Sequence, residues 1–212
     1  MANTAREKIL QKIKQALAKP VPVPFPASEG NDSVFEPSQK ELEIEFAEKF
    51  TGLLGKFSFC MDEKELVQQL DTLIAQRNWK NIYCRETELS TELFNAGFTT
   101  IYSDDVATCD AAITGCEHLV ARTGSMILSS AQPSGRTVSV YAPVHICIAY
   151  TDQLVYDIGA GLQQLRMDYG QDFPSLVTLA TGPSRTADIE KTLVVGVHGP
   201  KEVFCFLVER QP

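Results

Sequence analysis

The stretch SLVTLATGPSRTADIEKTLVVGVHG, residues 175–199, holds more unusual chemistry than any other part of the chain. Its first part, LVTLAT, is short, apolar and β-branched, and it is bounded by Gly182 and Pro183, a pattern typical of a buried strand. Ser184 or Thr186 can serve as the N-cap of a helix that follows. The apolar face of this helix would be formed by Ala187, Ile189 and Leu193. The sequence therefore predicts a strand that leads directly into a helix.

A helix that begins at this turn would favour an anion. Its first backbone N–H groups would point beyond the end of the strand, at the partially positive end of the helix dipole. The hydroxyl groups of Ser184 and Thr186 and the guanidinium of Arg185 would then complete a site for a carboxylate or phosphate. Asp188 lies three residues after Arg185 and could hold the guanidinium in one orientation. The alternative is structural, with Gly182 forming only a tight turn and Ser184 only a cap.

The composition is that of one enzyme-sized globular domain with an N-terminal arm. The 212 residues are 44% hydrophobic, enough to bury most of the surface that the unfolded chain exposes. The formal net charge is -8 and no window is dense in Lys or Arg, so we expect neither nucleic acid nor an acidic membrane as a partner. The apolar runs are strand-sized, and charges stand where a signal peptide is apolar. We therefore expect a cytoplasmic chain without membrane insertion.

The cysteines and histidines show no metal-binding pattern. The six cysteines occur singly, without a CxxC motif, and several lie in apolar runs where a thiol acts as a small hydrophobic side chain. The three histidines lack ligand spacing, and we expect His118 to be exposed. We therefore expect neither an iron–sulfur cluster nor a protein-only metal site, and the sequence identifies no cofactor. The cysteines are Cys60, Cys84, Cys109, Cys116, Cys147 and Cys205.

Three segments are predicted along the chain. Residues 1–19 carry an apolar stripe at helical spacing and form an amphipathic helix. Residues 20–37 form a proline-rich linker, because alternating prolines favour an extended chain. Residues 38–212 form the main domain. The detached helix could dock on a partner or on a second copy of the chain, giving a homodimer, or it could pack back on its own core.

The first half of the domain predicts a parallel sheet. Ser38 and Glu41 have the spacing of a capping box, which predicts a helix that begins there. From residue 57 to residue 103 the pattern is β, α, β, α, β, with TTIYS at 99–103 as the third strand. Parallel strands place their carboxyl ends on one edge of the sheet, where open α/β folds bind ligands.

The second half of the domain changes to short strands with few helices. TVSVY at 137–141 is predicted as one of these strands, a helix is predicted at 151–167, and an apolar strand at 201–209 closes the chain. The fold class is therefore α/β, with an open mixed, largely parallel sheet and helices on both of its faces.

Two histidines are the candidate catalytic residues. Pro143 should bend the strand that carries His145 and so aim this imidazole into a pocket. His198 lies on a turn between Val197 and Gly199 and is a comparable candidate to move a proton. The alternative for His145 is a core histidine whose hydrogen bonds are satisfied.

The segment formed by Thr123, Gly124 and Ser125 is a further candidate for ligand binding. It lies between two predicted strands. Gly124 can supply the positive φ of a tight turn, or its missing side chain can let a ligand approach the backbone.

Several of these segments resemble one known family, the LUD domain family of the lactate-utilisation protein C type. The matching segments are TGPSRTADIE at 181–190, GVHGP at 196–200, TGS at 123–125 and GRTVSVYAPVH at 135–145. The resemblance implies a fold similar to the group of glucosamine-phosphate isomerase, ribose-phosphate isomerase and CoA transferase. The family usually has an acidic residue where this chain has Arg122, so no role of that carboxylate is carried over.

Two functions follow from these observations. The resemblance implies a subunit of an L-lactate oxidation system in which partner subunits carry iron–sulfur clusters. The residues themselves favour a stand-alone small-molecule enzyme or binder of CoA-transferase-like fold, in which the turn at 182–186 holds a phosphate, carboxylate or CoA ligand. The sequence does not decide whether the isolated chain is an enzyme.

Overall fold

The computed structural model describes residues 5–18, 38, 40–100, 103–189 and 192–210, with the main chain alone at 17, 187–189 and 192–193. The chain divides into two compact units, Met1–Pro37 and Ser38–Pro212. The first unit contains one described helix, α1 (Ala5–Leu17). Within the described ranges, no helix is both long enough and apolar enough to cross a membrane.

The second unit alternates helices and strands along the chain. In chain order its elements are α2 (Leu42–Gly52), β1 (Lys56–Cys60), α3 (Glu63–Arg77), β2 (Ile82–Cys84), α4 (Thr87–Asn95), β3 (Ala111–Thr114), β4 (His118–Val120), β5 (Ser125–Ser129), α5 (Val138–Tyr141), β6 (Val144–Tyr150), β7 (Leu154–Val155), α6 (Ile158–Tyr169), β8 (Val177–Ala180), β9 (Arg185–Ile189), β10 (Thr192–Val195) and β11 (Glu202–Val208).

The strands in the described part of the chain form two sheets and a hairpin. Five strands form a sheet in the order β1-β11-β6-β3-β2, in which every neighbouring pair is parallel. Four shorter strands form a mixed sheet in the order β7-β4-β5-β8. Strands β9 and β10 form an antiparallel hairpin. The prediction of an α/β fold with a largely parallel central sheet is confirmed, and the antiparallel portion lies in the separate sheet.

The five-stranded sheet is covered on both faces. On one face α3 and α4 pack against alternate residues of the strands, with Leu66, Leu93 and Ile146 in one buried cluster. On the other face Phe46 and Phe50 of α2, together with apolar residues of β4 and β5, cover a second set of strand residues. Helix α6 covers the outer face of the mixed sheet. The strands of the central sheet are therefore almost continuously apolar, as expected of a buried parallel sheet.

N-cap aspartates determine where two of the helices begin. Asp62 accepts a hydrogen bond from the backbone N–H of Glu65 at 2.8 Å and so starts α3. Asp157 does the same for Ala160, and α6 therefore begins at Ile158 rather than at the predicted residue 151. The capping box predicted at Ser38 does not form. Helix α2 begins at Leu42, and the Ser38 hydroxyl bonds the carboxylate of Glu45 instead.

Two other predicted strands differ from the structure. TVSVY was expected to be extended, but Val138–Tyr141 forms the short helix α5, because Val138 packs against Ala112 and Ala142 in a small core of its own. Tertiary packing thus overrides the β propensity of the segment. The third strand predicted at 99–103 falls partly on residues 101–102, outside the described residues, and residues 99, 100 and 103 are not in a strand.

The helix predicted after Gly182 and Pro183 is wrong. The chain enters β9 at Arg185 and returns along β10, with Arg185 opposite Val195. The segment is rich in Thr and Val, which favour a pleated strand, and its apolar residues fit helical spacing only by coincidence. No helix N-terminus therefore lies at this turn, and the predicted receptacle of helix amides does not form.

Gly124 and Gly182 lie where the backbone of α2, or of Leu53 directly after it, leaves no room for a side chain. Gly124 has φ 60°, and a Cβ atom there would lie 2.5 Å from the backbone nitrogen of Phe50. Gly182 has φ 80°, and its Cβ would lie 2.5 Å from the carbonyl oxygen of Leu53. Of the two roles considered for Gly124, the positive φ of a turn is the one found, and it is α2 that approaches its backbone.

Gly124→Ala should destabilise the domain by about 2 kcal/mol or more, because it combines an unfavourable φ with a clash against backbone. Gly135→Ala is the matched control, since Gly135 has φ 66° but no atom within 4 Å of the added Cβ. Chemical denaturation of both variants separates the cost of the unfavourable φ from the cost of the clash against backbone. Equal losses of unfolding free energy would contradict the packing role of Gly124.

Candidate functional site

A cavity of about 460 Å³ lies at the amino ends of two adjacent central strands. His145 and Val203, the second residues of β6 and β11, are paired in register and form its floor. The turn after β8 and the loop before β11 form its walls. The lining residues are Ser139, Val140, His145, Thr178, Leu179, Ala180, Thr181, Gly182, Pro183, Ser184, Arg185, His198, Gly199, Pro200 and Val203.

Main-chain hydrogen bonds hold the loop 196–200 against the turn at Ser184. The N–H of Ser184 donates to the carbonyl of Pro200 at 2.9 Å, and the N–H of Gly196 donates to the carbonyl of Ser184 at 2.8 Å. Gly199 approaches so closely that a Cβ there would lie 2.9 Å from that of Ser184. The exposed side chains of His198 and Arg185 both line the cavity, at its mouth.

His145 lies at the base of the cavity and is 1% exposed. Strand β6 begins directly after Pro143, which places His145 one residue into the strand. Its Nε2 lies 2.8 Å from the hydroxyl of Thr114, and that hydroxyl donates to the carbonyl of Gly115 at 2.8 Å. Because the single hydroxyl proton is used there, the imidazole proton lies on Nε2 and Nδ1 keeps its lone pair.

Burial sets the charge state of His145. Removal from water disfavours the imidazolium, so the pKa of His145 is lowered from its ordinary value. A neutral imidazole with a free lone pair on Nδ1 is a hydrogen-bond acceptor and a proton acceptor. Burial therefore keeps His145 neutral at the floor of the cavity, and the lowered pKa makes it a weaker base than an exposed imidazole.

Three free thiols lie on the same side of the central sheet as His145. Cys147 and Cys205 are register partners on β6 and β11, and Cys116 packs in the same core cluster. The hydrogen bond to Cys147 and burial raise the pKa of Cys116, and burial raises the pKa of Cys205. These thiols fill the space between the two sheets as small side chains.

The segment 123–125 supports the cavity from outside. The hydroxyl oxygens of Thr123 and Ser125 lie 2.8 Å apart, and that of Ser125 lies 2.8 Å from Thr181 Oγ1. Thr181 lines the cavity, whereas Thr123, Gly124 and Ser125 do not. The predicted segment therefore positions the wall of the cavity through Thr181.

One other predicted ligand-binding residue lies outside the cavity, and the side chain of a second is not described. Thr186 faces Val194 within the hairpin and does not line the cavity. Asp188 lies in β9, and its side chain is outside the described residues. His145, Gly182, Ser184, Arg185 and His198 are the predicted residues that meet in one place.

His118 does not have the predicted exposure. It is 9% exposed on β4, with Nδ1 3.3 Å from the carbonyl oxygen of Gln153. The prediction was wrong because the mixed sheet is covered on both of its faces.

Comparison with known proteins decides the family. The family model of the LUD domain matches residues 3–208. The chain belongs to the LUD domain family. An uncharacterized protein of Neisseria meningitidis is 35% identical over 94 residues, 44% of this chain and 40% of that protein. Lactate utilization protein C of Halalkalibacterium halodurans is 36% identical over 101 residues, 47% of this chain and 44% of that protein.

The same comparison extends to a solved structure. A DUF162 family protein from Deinococcus radiodurans, known from a crystal structure, superposes with a TM-score of 0.60 at 19% identity, over 82% of this chain and 99% of that one. At this identity the likeness shows the fold of the LUD domain alone. The alignments cover less than half the length of the two curated relatives.

Two residues of this LUD domain site were not identified from the sequence. Thr114 fixes the tautomer of His145, and Thr181 connects the cavity to Ser125. In both cases the available signal was a threonine at the end of an apolar strand. The residue that this threonine bonds to lies far along the chain, so the sequence does not identify the pair. Only the tertiary structure brings these groups within hydrogen-bonding distance.

The stability of the wild-type chain should fall as the pH is lowered below about 6.5, the ordinary pKa of histidine, because the unfolded state then binds a proton that folded His145 resists. His145→Gln should reduce this loss between about pH 7.5 and about pH 5. Thermal denaturation across this range measures it. His198→Gln, which removes an exposed imidazole of the same cavity, is the matched control. An equal reduction of the loss in the two variants would contradict the assignment.

Proposed function

We propose that this LUD domain protein is a cytoplasmic lactate-utilisation protein that serves as a subunit of an L-lactate oxidation system. In this system partner subunits carry the iron–sulfur clusters, and this chain contributes an α/β domain with an anion-binding site. The name of the Halalkalibacterium halodurans relative supports the lactate assignment. The absence of a CxxC motif supports the division of roles, because cluster ligands would have to come from other chains.

The observation that carries this proposal is the meeting of Arg185, His145 and His198 in one cavity. These residues come from β9, β6 and the loop before β11, so the fold alone brings them together. The cavity holds one guanidinium and two imidazoles, and its described lining includes no carboxylate. Such a lining favours a small anion over a cation.

The geometry fits a small hydroxy acid. The guanidinium of Arg185 at the mouth would bind the carboxylate, because Arg presents paired donors that match two carboxylate oxygens. The hydroxyl of the ligand would then face Nδ1 of His145 at the floor, where it can donate a hydrogen bond or a proton. Ser184 and His198 would add polar contacts at the mouth.

A second candidate function is supported by the fact that residues of a single chain line the cavity. A stand-alone enzyme or binder that acts on a phosphate, carboxylate or CoA ligand would need no residue from a partner. The Arg185 guanidinium at the mouth suits a phosphate as well as a carboxylate. The two functions differ in what the isolated chain binds and in what it co-purifies with.

Affinity purification of the tagged chain from cells grown on L-lactate should recover cysteine-rich subunits. Iron and acid-labile sulfide in the eluate, with visible absorption, would identify their clusters. Recovery of the chain alone under these conditions would contradict the subunit role and leave the stand-alone enzyme or binder.

Arg185→Ala should weaken binding of L-lactate by about tenfold or more, because one charged hydrogen-bonding partner is lost. Calorimetric titration of the isolated chain measures this, with phosphate and CoA as competing ligands. Arg166→Ala is the matched control, since Arg166 is exposed on α6 and does not line the cavity. Unchanged affinity in Arg185→Ala would place the anion site elsewhere, and tighter binding of phosphate or CoA than of lactate would favour the second function.

A further inference from the structure

Helix α1 carries an apolar stripe with lysines on both of its sides. Ile9 and Ile13 lie one helical turn apart on this stripe, and their side chains are 59% and 49% exposed. Lys8 and Lys12 follow one side of the stripe at helical spacing, and Lys14 lies on the other side. The described part of the first unit contains no other helix or strand against which the stripe packs. Its apolar surface is therefore available for docking.

A groove on the second unit has an apolar floor. It lies between α2 and β1, the edge strand of the central sheet, and has a volume of about 720 Å³. Ile44 of α2 and Phe57 and Phe59 of β1 contribute its apolar lining. The side chains of Ile44 and Phe59 are 48% and 37% exposed, so the second unit leaves this apolar surface uncovered. We call it the α2–β1 groove.

The charges around the α2–β1 groove are opposite to those of α1. Four of the five charged residues in its lining are glutamates, and the fifth, Arg210, pairs with Asp152 at 3.1 Å. Among the described residues, Glu48 is the only one of these glutamates that forms an ion pair with a basic side chain. The groove therefore combines an apolar floor with an acidic rim. The four glutamates are Glu41, Glu43, Glu48 and Glu209.

We propose that α1 of a second copy of the chain docks in the α2–β1 groove, so that two copies exchange their helices and form a homodimer. The stripe of Ile9 and Ile13 would cover Ile44 and Phe59, as an amphipathic helix does in an apolar groove. The lysines on both sides of the stripe would meet the acidic rim, and this complementarity fixes how the helix lies. Reciprocal exchange satisfies both helices and both grooves, and it closes the assembly at two copies.

The sequence that follows α1 favours a groove on another copy. Prolines alternate with other residues from Pro20 to Pro26. Such a sequence favours an extended chain that advances about 3.1 Å per residue and directs the chain away from the helix. The groove begins at Glu41, so docking within the same chain would require the few remaining residues to reverse this direction. A groove on a second copy requires no such reversal.

Sedimentation velocity of the full-length chain over a range of concentrations should give the mass of two copies. Ile13→Asp should raise the dissociation constant of the dimer by about tenfold or more, because it replaces an apolar contact by a charge of the same sign as the rim. Gln11→Asp is the matched control, since it places the same charge on the opposite side of α1 and should have a much smaller effect.

Variants of the groove test the other side of the contact. Ile44→Asp should weaken the dimer as strongly as Ile13→Asp does. Met167→Asp is its control, because Met167 is 62% exposed on α6 and does not line the groove. An equimolar mixture of Ile13→Asp and Ile44→Asp should form dimers at a concentration where each variant alone is monomeric. In the mixture, the intact α1 of the second variant docks in the intact groove of the first.

Three results would overturn the proposal. The first is a wild-type chain that stays monomeric, as it would if α1 docked within its own chain or only on a different protein. The second is a dimer that Ile13→Asp or Ile44→Asp weakens no more than its control does. The third is a mixture of these two variants that remains monomeric wherever each variant alone is monomeric. None of these results bears on the anion cavity, because the groove and that cavity have no residue in common.

Discussion

The close approach of helix α2 to two loops is the contact on which the arrangement of the domain depends. Gly124 and Gly182 both lie where a side chain would enter the backbone of this helix or its C-terminal turn. One loop connects β4 to β5 and the other follows β8, so α2 ties the mixed sheet to the central sheet at two points. Phe46 and Phe50 of the same helix stack at 5.4 Å between ring centres and fill the core that lies between them.

The close packing of α2 shows that the glycines of the two motifs have a structural role. TGS and TGPS look like ligand-binding loops, because glycine next to hydroxyl side chains is common in anion sites. In the structure the glycines serve packing, and the hydroxyl groups of Thr123, Ser125 and Thr181 bond to each other. The cavity is built beside this framework by Ser184, Arg185 and the two histidines. A motif can therefore mark the position of a site while most of its residues support the fold.

The sequence predicted the structure correctly where local signals and burial agree. The alternation around α3, with Asp62 as its cap, predicted the parallel sheet. The buried strand that carries His145 was also predicted, but it begins after Pro143 and is not bent there. The sequence did not predict the structure where the interacting residues lie far apart along the chain. The segment after Pro183 has an apolar spacing that suits a helix, but the bonds between Ser184 and the loop 196–200 require an extended chain. Thr114 was missed, because its hydrogen-bonding partner His145 lies 31 positions away.

Main-chain hydrogen bonds hold the loop that carries His198 in position. The loop that carries it is fastened by amide and carbonyl groups of Ser184, Gly196 and Pro200, which every residue type possesses apart from the N–H that proline lacks. The side chains of Arg185 and His198 can therefore be exchanged without loosening the frame, whereas Gly196 and Gly199 have no room for a side chain. A scaffold fastened in this way allows selectivity to diverge among related proteins while the architecture is inherited unchanged.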